Sequence, residues 1–156
     1  MSILLFIYLL SLVCWLGSII FFSFFTVPVV FTRLPIVEAG KVISGIFPRY
    51  YLVGEIAGAI AVLLALYFTI ANTPRRWWSG AFLSLAIALG LTLYAGLSIR
   101  PRVDEIRSVA EVENPDPARK AEFDRLHKLS VMINGGVMIL DLFALYGTAA
   151  ALSYRG

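Results

Sequence analysis

Four long apolar blocks, parted by polar stretches, organise the chain: Ile3–Val30, Tyr50–Ala71, Trp78–Ile99 and Lys128–Tyr154. Each is close to or above the ~20 residues that cross the hydrocarbon core of a bilayer. Lipid offers nothing to bond backbone N–H and C=O groups, so a span closes its hydrogen bonds within a helix or within a sealed barrel. Barrel strands alternate polar and apolar positions; these blocks stay apolar without alternation. The pattern predicts an all-α integral membrane protein, an antiparallel four-helix bundle forming one domain over residues 1–156. The first block has no basic leader and no small-x-small cleavage site, and it is too long for a secretion signal, so it is read as a retained helix.

The polar stretches carry structure of their own. In "PIVEAGKVISGIFP", residues 35–48, the positions Ile36, Val37, Gly40, Ile43, Ile46 and Phe47 recur at helical spacing, with Glu38 and Lys41 opposite. This predicts a short amphipathic interfacial helix, opened by Pro35 and ended by Pro48, that lies on the membrane surface or docks a soluble partner. The connection from Asn72 to Trp77 is short enough to make spans two and three neighbours. Trp77 and Trp78 fit an aromatic belt at the interface. Between spans three and four, Val103, Ile106, Val109 and Val112 give a weak helical stripe. The Asn-Pro-Asp-Pro turn at 114–117 follows, with Asp116 as cap and Pro117 as first residue of the next helix. A charged helical hairpin is expected there.

Composition confirms the class, and charge adds a direction. Of 156 residues 60% are hydrophobic, with a mean hydropathy of +0.85, against about 45–50% apolar residues in soluble domains. Ten cations flank one side of the spans: Arg33, Lys41, Arg49, Arg100, Arg102, Arg107, Arg119, Lys120, Arg125 and Lys128. Only Arg75, Arg76 and Arg155 flank the other. The positive-inside bias predicts a multi-pass protein of an inner or plasma membrane, with both termini outside and the two long loops cytoplasmic. The net charge of +3 is interleaved with acids and flanks membrane spans, so the bilayer is the expected partner and nucleic acid is not. A single cysteine, Cys14, excludes an intrachain disulfide.

The chemistry gathers on the last span. Asp141 sits inside "GGVMILDLFALYG", where a carboxylate costs about 2.5–3.5 kcal/mol on insertion scales. His127, Asn134, Asp141 and Thr148 are spaced by sevens, with Ser130 beside them. Seven residues drift by only about 20° on a helix, so these side chains form one stripe that should face protein. Depth matching at about 1.5 Å per residue puts Asp141 level with Cys14 and Trp15 of the first span. The Trp15 indole is then the donor in reach, because no Lys or Arg lies at that depth. Asn134 falls level with Glu55, Thr92 and Tyr94. Glu55 is a second intramembrane acid, toward which Arg49 can fold. Gly54 and Gly58 beside it make a GxxxG pair suited to close helix contact. Each acid has two readings: interhelical glue, worth about 0.6 kcal/mol on average, or part of a pathway through the bundle. His127 is either a solvated helix-end residue or a proton relay or haem ligand. One histidine cannot supply two axial ligands, and Cys14 lies too deep to join it in a metal site. No catalytic constellation is visible.

The segments "WLGSIIFFSFFTVPVVFTRLP", "AGKVISGIFPRYY", "RPRVDEIR" and "FDRLHKLSVMIN" together resemble the transmembrane protein 205-like family of small four-helix membrane proteins, which carries a domain-of-unknown-function label. The resemblance runs over nearly the whole chain, in order. It implies the four-span fold, brings no activity, and marks Trp15, Gly17, Pro28, Phe47, Pro48, Arg49, Tyr50, Pro101, His127, Ser130 and Asn134 as signature positions. A fainter resemblance is to four-helix proteins of copper resistance and haem biosynthesis, through Trp-x-Gly in the first span. Those usually have a histidine before the tryptophan, where this chain has Tyr8 seven residues upstream. Three functions fit the sequence: a small-solute or proton-linked ion pathway on the polar stripe, a redox or haem-handling protein, and a non-catalytic assembly subunit. The pathway needs a homo-oligomer if a pore is required, and the last needs a membrane-protein partner.

Overall fold

The structure is a computed structural model that describes residues 2–71, 75–110 and 117–154. Four helices account for nearly all of them: α1, Ser2–Arg33; α2, Ile36–Ala71; α3, residues 75–110; and α4, Pro117–Ser153. Each contains a window long and apolar enough to cross a membrane. Their outward faces carry large apolar side chains such as Phe24, Leu63, Met132 and Phe143. In water so continuous an apolar coat would drive association; in lipid it is the solvated surface. The protein is an integral membrane helix bundle.

Sequential helices are neighbours, α1 on α2, α2 on α3 and α3 on α4, while α1 and α4 meet along a thinner seam. Tyr8 near the start of α1 bonds Thr148 near the end of α4 at 2.9 Å, so both termini lie at one end. That end is called the terminal end below. The opposite end holds Arg33, Arg49, Arg100 and Lys128 and is called the basic end.

Small residues let the helices close up. Ala57, Ala61 and Ala65 of α2, Ala81 and Ala88 of α3, and Ala144, Gly147 and Ala151 of α4 are all buried. They recur at spacings of three, four or seven residues, those of one helix face. A Cβ on Gly147 would come within 3.3 Å of the Trp77 carbonyl oxygen, so α4 passes close to the backbone of α3. The Gly54–Gly58 pair has a different occupant from the expected helix backbone. It seats the Trp15 ring: a Cβ on Gly58 would meet Trp15 Cη2 at 2.8 Å and Cζ3 at 2.9 Å.

Two sequence expectations need correction. The 35–48 segment is not a separate surface helix ended by Pro48, because α2 runs unbroken from Ile36 to Ala71 with Pro48 inside it. Proline removes one intrahelical bond, but a membrane helix tolerates this where neighbours and local adjustment support it. Here Ala39, Gly40 and Ile43 are buried before the proline and Tyr51 and Gly54 after it, so packing on both sides holds one axis. The second correction concerns the aromatic belt. Trp77 is half-buried at the terminal end under the Arg76 guanidinium, 5.3 Å from its ring centre. Trp78 instead turns inward, 1% exposed, packed on Phe68 and Tyr8. Adjacent helical residues point about 100° apart, so both cannot face the same way.

Two π-helical segments interrupt the α-helices, at Phe22–Thr26 in α1 and Ala95–Ile99 in α3. Pro28 and Pro101 come one residue beyond them, after Val27 and Arg100. Beyond the second, α3 continues as a charged arm, and α4 begins as its partner. Arg102 joins the arms through Glu122 at 3.0 Å and also holds Glu105 at 2.8 Å. Such exposed pairs contribute only about 0–1 kcal/mol. The expected Asn-Pro-Asp-Pro turn and its Asp116 cap lie outside the described residues.

Candidate functional site

The α4 stripe separates into an outer and an inner part. His127 is exposed and stacks parallel on Phe123, with ring centres 6.1 Å apart, so it stands clear of the bundle interior. From Ser130 onward the stripe turns inward. Ser130 donates to the Leu126 carbonyl at 3.0 Å. Asn134 bridges two helices: its Oδ1 accepts from the Tyr50 hydroxyl and its Nδ2 donates to Ser23 at 3.0 Å. Thr148 donates its one proton to the Ala144 carbonyl at 2.8 Å, so the Tyr8 hydroxyl must donate to Thr148. The two bridges fix the register of α1 against α4, Ser23 with Asn134 and Tyr8 with Thr148. Asp141, midway between, comes level with Trp15 as the depth argument places it.

The bond expected there is not made. Asp141 is 1% exposed, yet neither carboxyl oxygen has a hydrogen-bond partner. The Trp15 indole nitrogen points elsewhere, 3.2 Å from where a Gly54 Cβ would sit. The ring seated on Gly54 and Gly58 has its position set by packing, which leaves its N–H no freedom to turn toward α4. Buried polar groups are nearly always bonded, and an exception calls for a reason in function or in a missing partner. Glue requires a bond to a neighbouring helix, and Asp141 makes none among the described residues.

Glu55 is partly buried against α3, with its Oε1 2.7 Å from where a Gly96 Cβ would lie. Gly96 therefore makes the room for this side chain. Arg49 is exposed, and no ion pair joins it to Glu55 among the described residues. Tyr94, placed in the pathway by sequence, is 51% exposed on the lipid side, while Thr92 two residues earlier is buried. Sequence reasoning left Tyr8 and Ser23 out of the stripe. Tyr8 had a signal, since it lies seven residues before Trp15 and so shares its face. Ser23 had none, because it sits inside a π-helical turn that shifts the helical period.

Between the helices, toward the basic end, lies a small cavity. Trp15, Ser18, Tyr50, Thr92, Ser130 and Asn134 supply its polar lining, and Val137 and Gly54 are among its apolar walls. It leaves about 10 Å³ for the centre of a water molecule, the space one water needs. An aromatic cluster frames it: Phe22 stacks on Tyr50 with centres 4.6 Å apart, and Phe47 on Tyr51 at 5.9 Å. These rings hold the Tyr50 hydroxyl on Asn134. Tyr50→Phe leaves Asn134 Oδ1 unbonded and is expected to lower bundle stability by about 1 kcal/mol, inside the ~0.6–1.7 range for membrane side-chain bonds. Thermal denaturation in detergent measures this, and an unchanged midpoint would show that the bond contributes nothing.

The family model for DUF4149, a domain of unknown function, matches residues 10–111. The chain belongs to this family. No curated protein and no solved structure matches it. The DUF4149 match takes in Trp15, Ser18, Ser23, Tyr50, Gly54, Gly58 and Thr92, so the seat of the indole and one wall of the cavity fall within it. Asn134, Asp141 and Thr148 lie beyond the matched residues. The haem reading of this DUF4149 member finds no fit. His127 faces away from the core, Cys14 is exposed, and no group of three His, Cys, Asp or Glu is suited to a metal among the described residues.

Proposed function

We propose that this protein is a proton-linked pathway within the membrane, and that Asp141 takes up and releases the proton. The observation that carries this reading is the fully buried carboxyl without a hydrogen-bond partner. Such a group is costly in a membrane and points to function, proton relays among the roles it serves. The polar groups on the basic side of Asp141, the cavity and Tyr50–Asn134–Ser23, support it, because hydroxyls, amides and water pass protons along hydrogen bonds. Room for about one water favours protons over a larger solute as cargo. The ordered motifs support placing the chain with the transmembrane protein 205-like proteins. The Lys/Arg bias supports a cytoplasmic basic end and outward termini.

Proteoliposomes with an interior pH dye and a potassium diffusion potential test the function. Wild type should acidify or alkalinise the lumen faster than protein-free liposomes, and Asp141→Asn should return the rate to that background. Equal rates for wild type and empty liposomes would sink the pathway and leave the assembly-subunit reading, in which the protein co-purifies with a membrane partner. Orientation has its own test in a Cys14→Ser background. An impermeant thiol reagent applied from the cytoplasmic side should label Ala121→Cys, and applied from outside should label Ser153→Cys. The opposite pattern inverts the topology.

A further inference from the structure

We infer that in the conformation described here Asp141 exchanges its proton with the basic end, through the cavity, which is a binding site for a single water, and that access from the terminal end requires the ring layer there to open. This rests on Asp141 being the proton carrier. The two ends of the bundle are unlike on either side of that residue. Toward the basic end, Val137 lies one helical turn away, about 6 Å along the axis, and Val137 and Trp15 both line the cavity. The polar groups there come from all four helices: Ser18 and the Trp15 indole from α1, Tyr50 from α2, Thr92 from α3, Ser130 and Asn134 from α4. A water needs two to four such partners. The Trp15 indole can only donate and hydroxyls do both, so the lining offers a water donors as well as acceptors.

Toward the terminal end the path closes. Tyr8, Phe68 and Trp78 are buried and pack ring against ring, with centres 4.7–6.0 Å apart. Ala144, Gly147 and Ala151 bring α4 down onto them with no side chain longer than a methyl. The hydroxyls of this layer run from Tyr8 to Thr148 to the Ala144 carbonyl, which accepts a hydrogen bond and passes no proton on. The other titratable groups facing the Asp141 layer are tyrosines: Tyr8 from α1 on the terminal side, and Tyr50 and Tyr51 from α2 on the basic side. Glu55 lies further toward the basic end, against Gly96 of α3. Among the described residues no Lys or Arg lies within the spans at this depth; the cations of α3 stand at its two ends, Arg75 and Arg76 at the terminal end and Arg100 at the basic end.

Infrared spectroscopy of the whole protein in lipid tests this without any transport assay. The carboxyl stretch that disappears in Asp141→Asn is followed after transfer to D2O. In wild type its isotope shift should be complete within the mixing time. Ser130→Leu, which fills the cavity from α4, should slow the shift at least tenfold, and Ser18→Leu should do so from α1. Gly90→Leu adds the same bulk on α3 outside the cavity, where nothing lies within 4 Å of the Cβ position, and should exchange like wild type. Exchange that stays fast in both filled variants, each shown to melt cooperatively, overturns the route. So does the lack of any Asp141-dependent carboxyl band across the pH range. Transport failing while filling still slows exchange would refute the pathway and leave the route standing; transport with unslowed exchange would do the reverse.

Discussion

Gly58→Leu is expected to destabilise the bundle strongly. In an ordinary helix, replacing glycine raises helical propensity by up to about 1 kcal/mol. At Gly58 the sign reverses, because even a Cβ would lie 2.8 Å from Trp15 Cη2 and 3.0 Å from a Leu89 methyl. Trp15 is 1% exposed and cannot move aside without displacing Gly54, Thr92 or the cavity wall. Overpacking of this kind costs about 1–3 kcal/mol, and leucine should fall at the upper end with alanine at the lower. Gly90→Ala is the matched control, since nothing lies within 4 Å of its Cβ position, and it should be neutral or stabilising. Melting midpoints of the three variants in one detergent decide the matter. A Gly58→Ala protein as stable as Gly90→Ala would show that the indole is not seated as described.

The second large effect separates stability from function at one residue. Asp141→Val should make the protein more stable and inactive. An unbonded buried polar group costs about 1–3 kcal/mol, and exchanging it for an apolar group of similar shape recovers part of that. Valine and aspartate have similar helix propensity, so a net gain of about 1 kcal/mol is expected, with proton flux at background. Stability given up for a working group is a general feature of functional sites. A variant that melts well below wild type would show that the carboxyl is bonded in the folded protein, and the glue reading would return.

The helices were legible because lipid allows so little else: length and uninterrupted apolarity suffice to define a span. The inward turn of the α4 stripe was legible too, because sevens nearly close two helical turns whatever the tertiary structure. What escaped was decided by packing between helices. Pro48 looks like a terminator in a sequence, and only buried residues on both sides of it keep α2 whole. Trp15 has the right depth to serve Asp141, but its ring orientation is set by the two glycines of α2. Trp77 and Trp78 read as a pair, yet one helical step sends them to different environments. Tyr94 and Thr92 exchanged roles because the face of α3 turned inward depends on how α2 and α4 grip it.

The π-helical turns at Phe22–Thr26 and Ala95–Ile99 also bear on how this chain can change in length. A π turn holds one residue more than the α turn it replaces, while the helix on either side keeps its facing. Helices α1 and α3 thus each store a spare residue beside the cavity. Losing one residue within either turn relaxes it to regular α-helix, and Tyr8 and Trp15 before the first, or Leu85, Ala88 and Thr92 before the second, stay on their faces. A single-residue deletion elsewhere in a span rotates everything beyond it by about 100° and carries its buried face into lipid. Length variation is therefore survivable at these two places, and there the layer around Tyr50 and Asn134 can be reshaped without rebuilding the bundle.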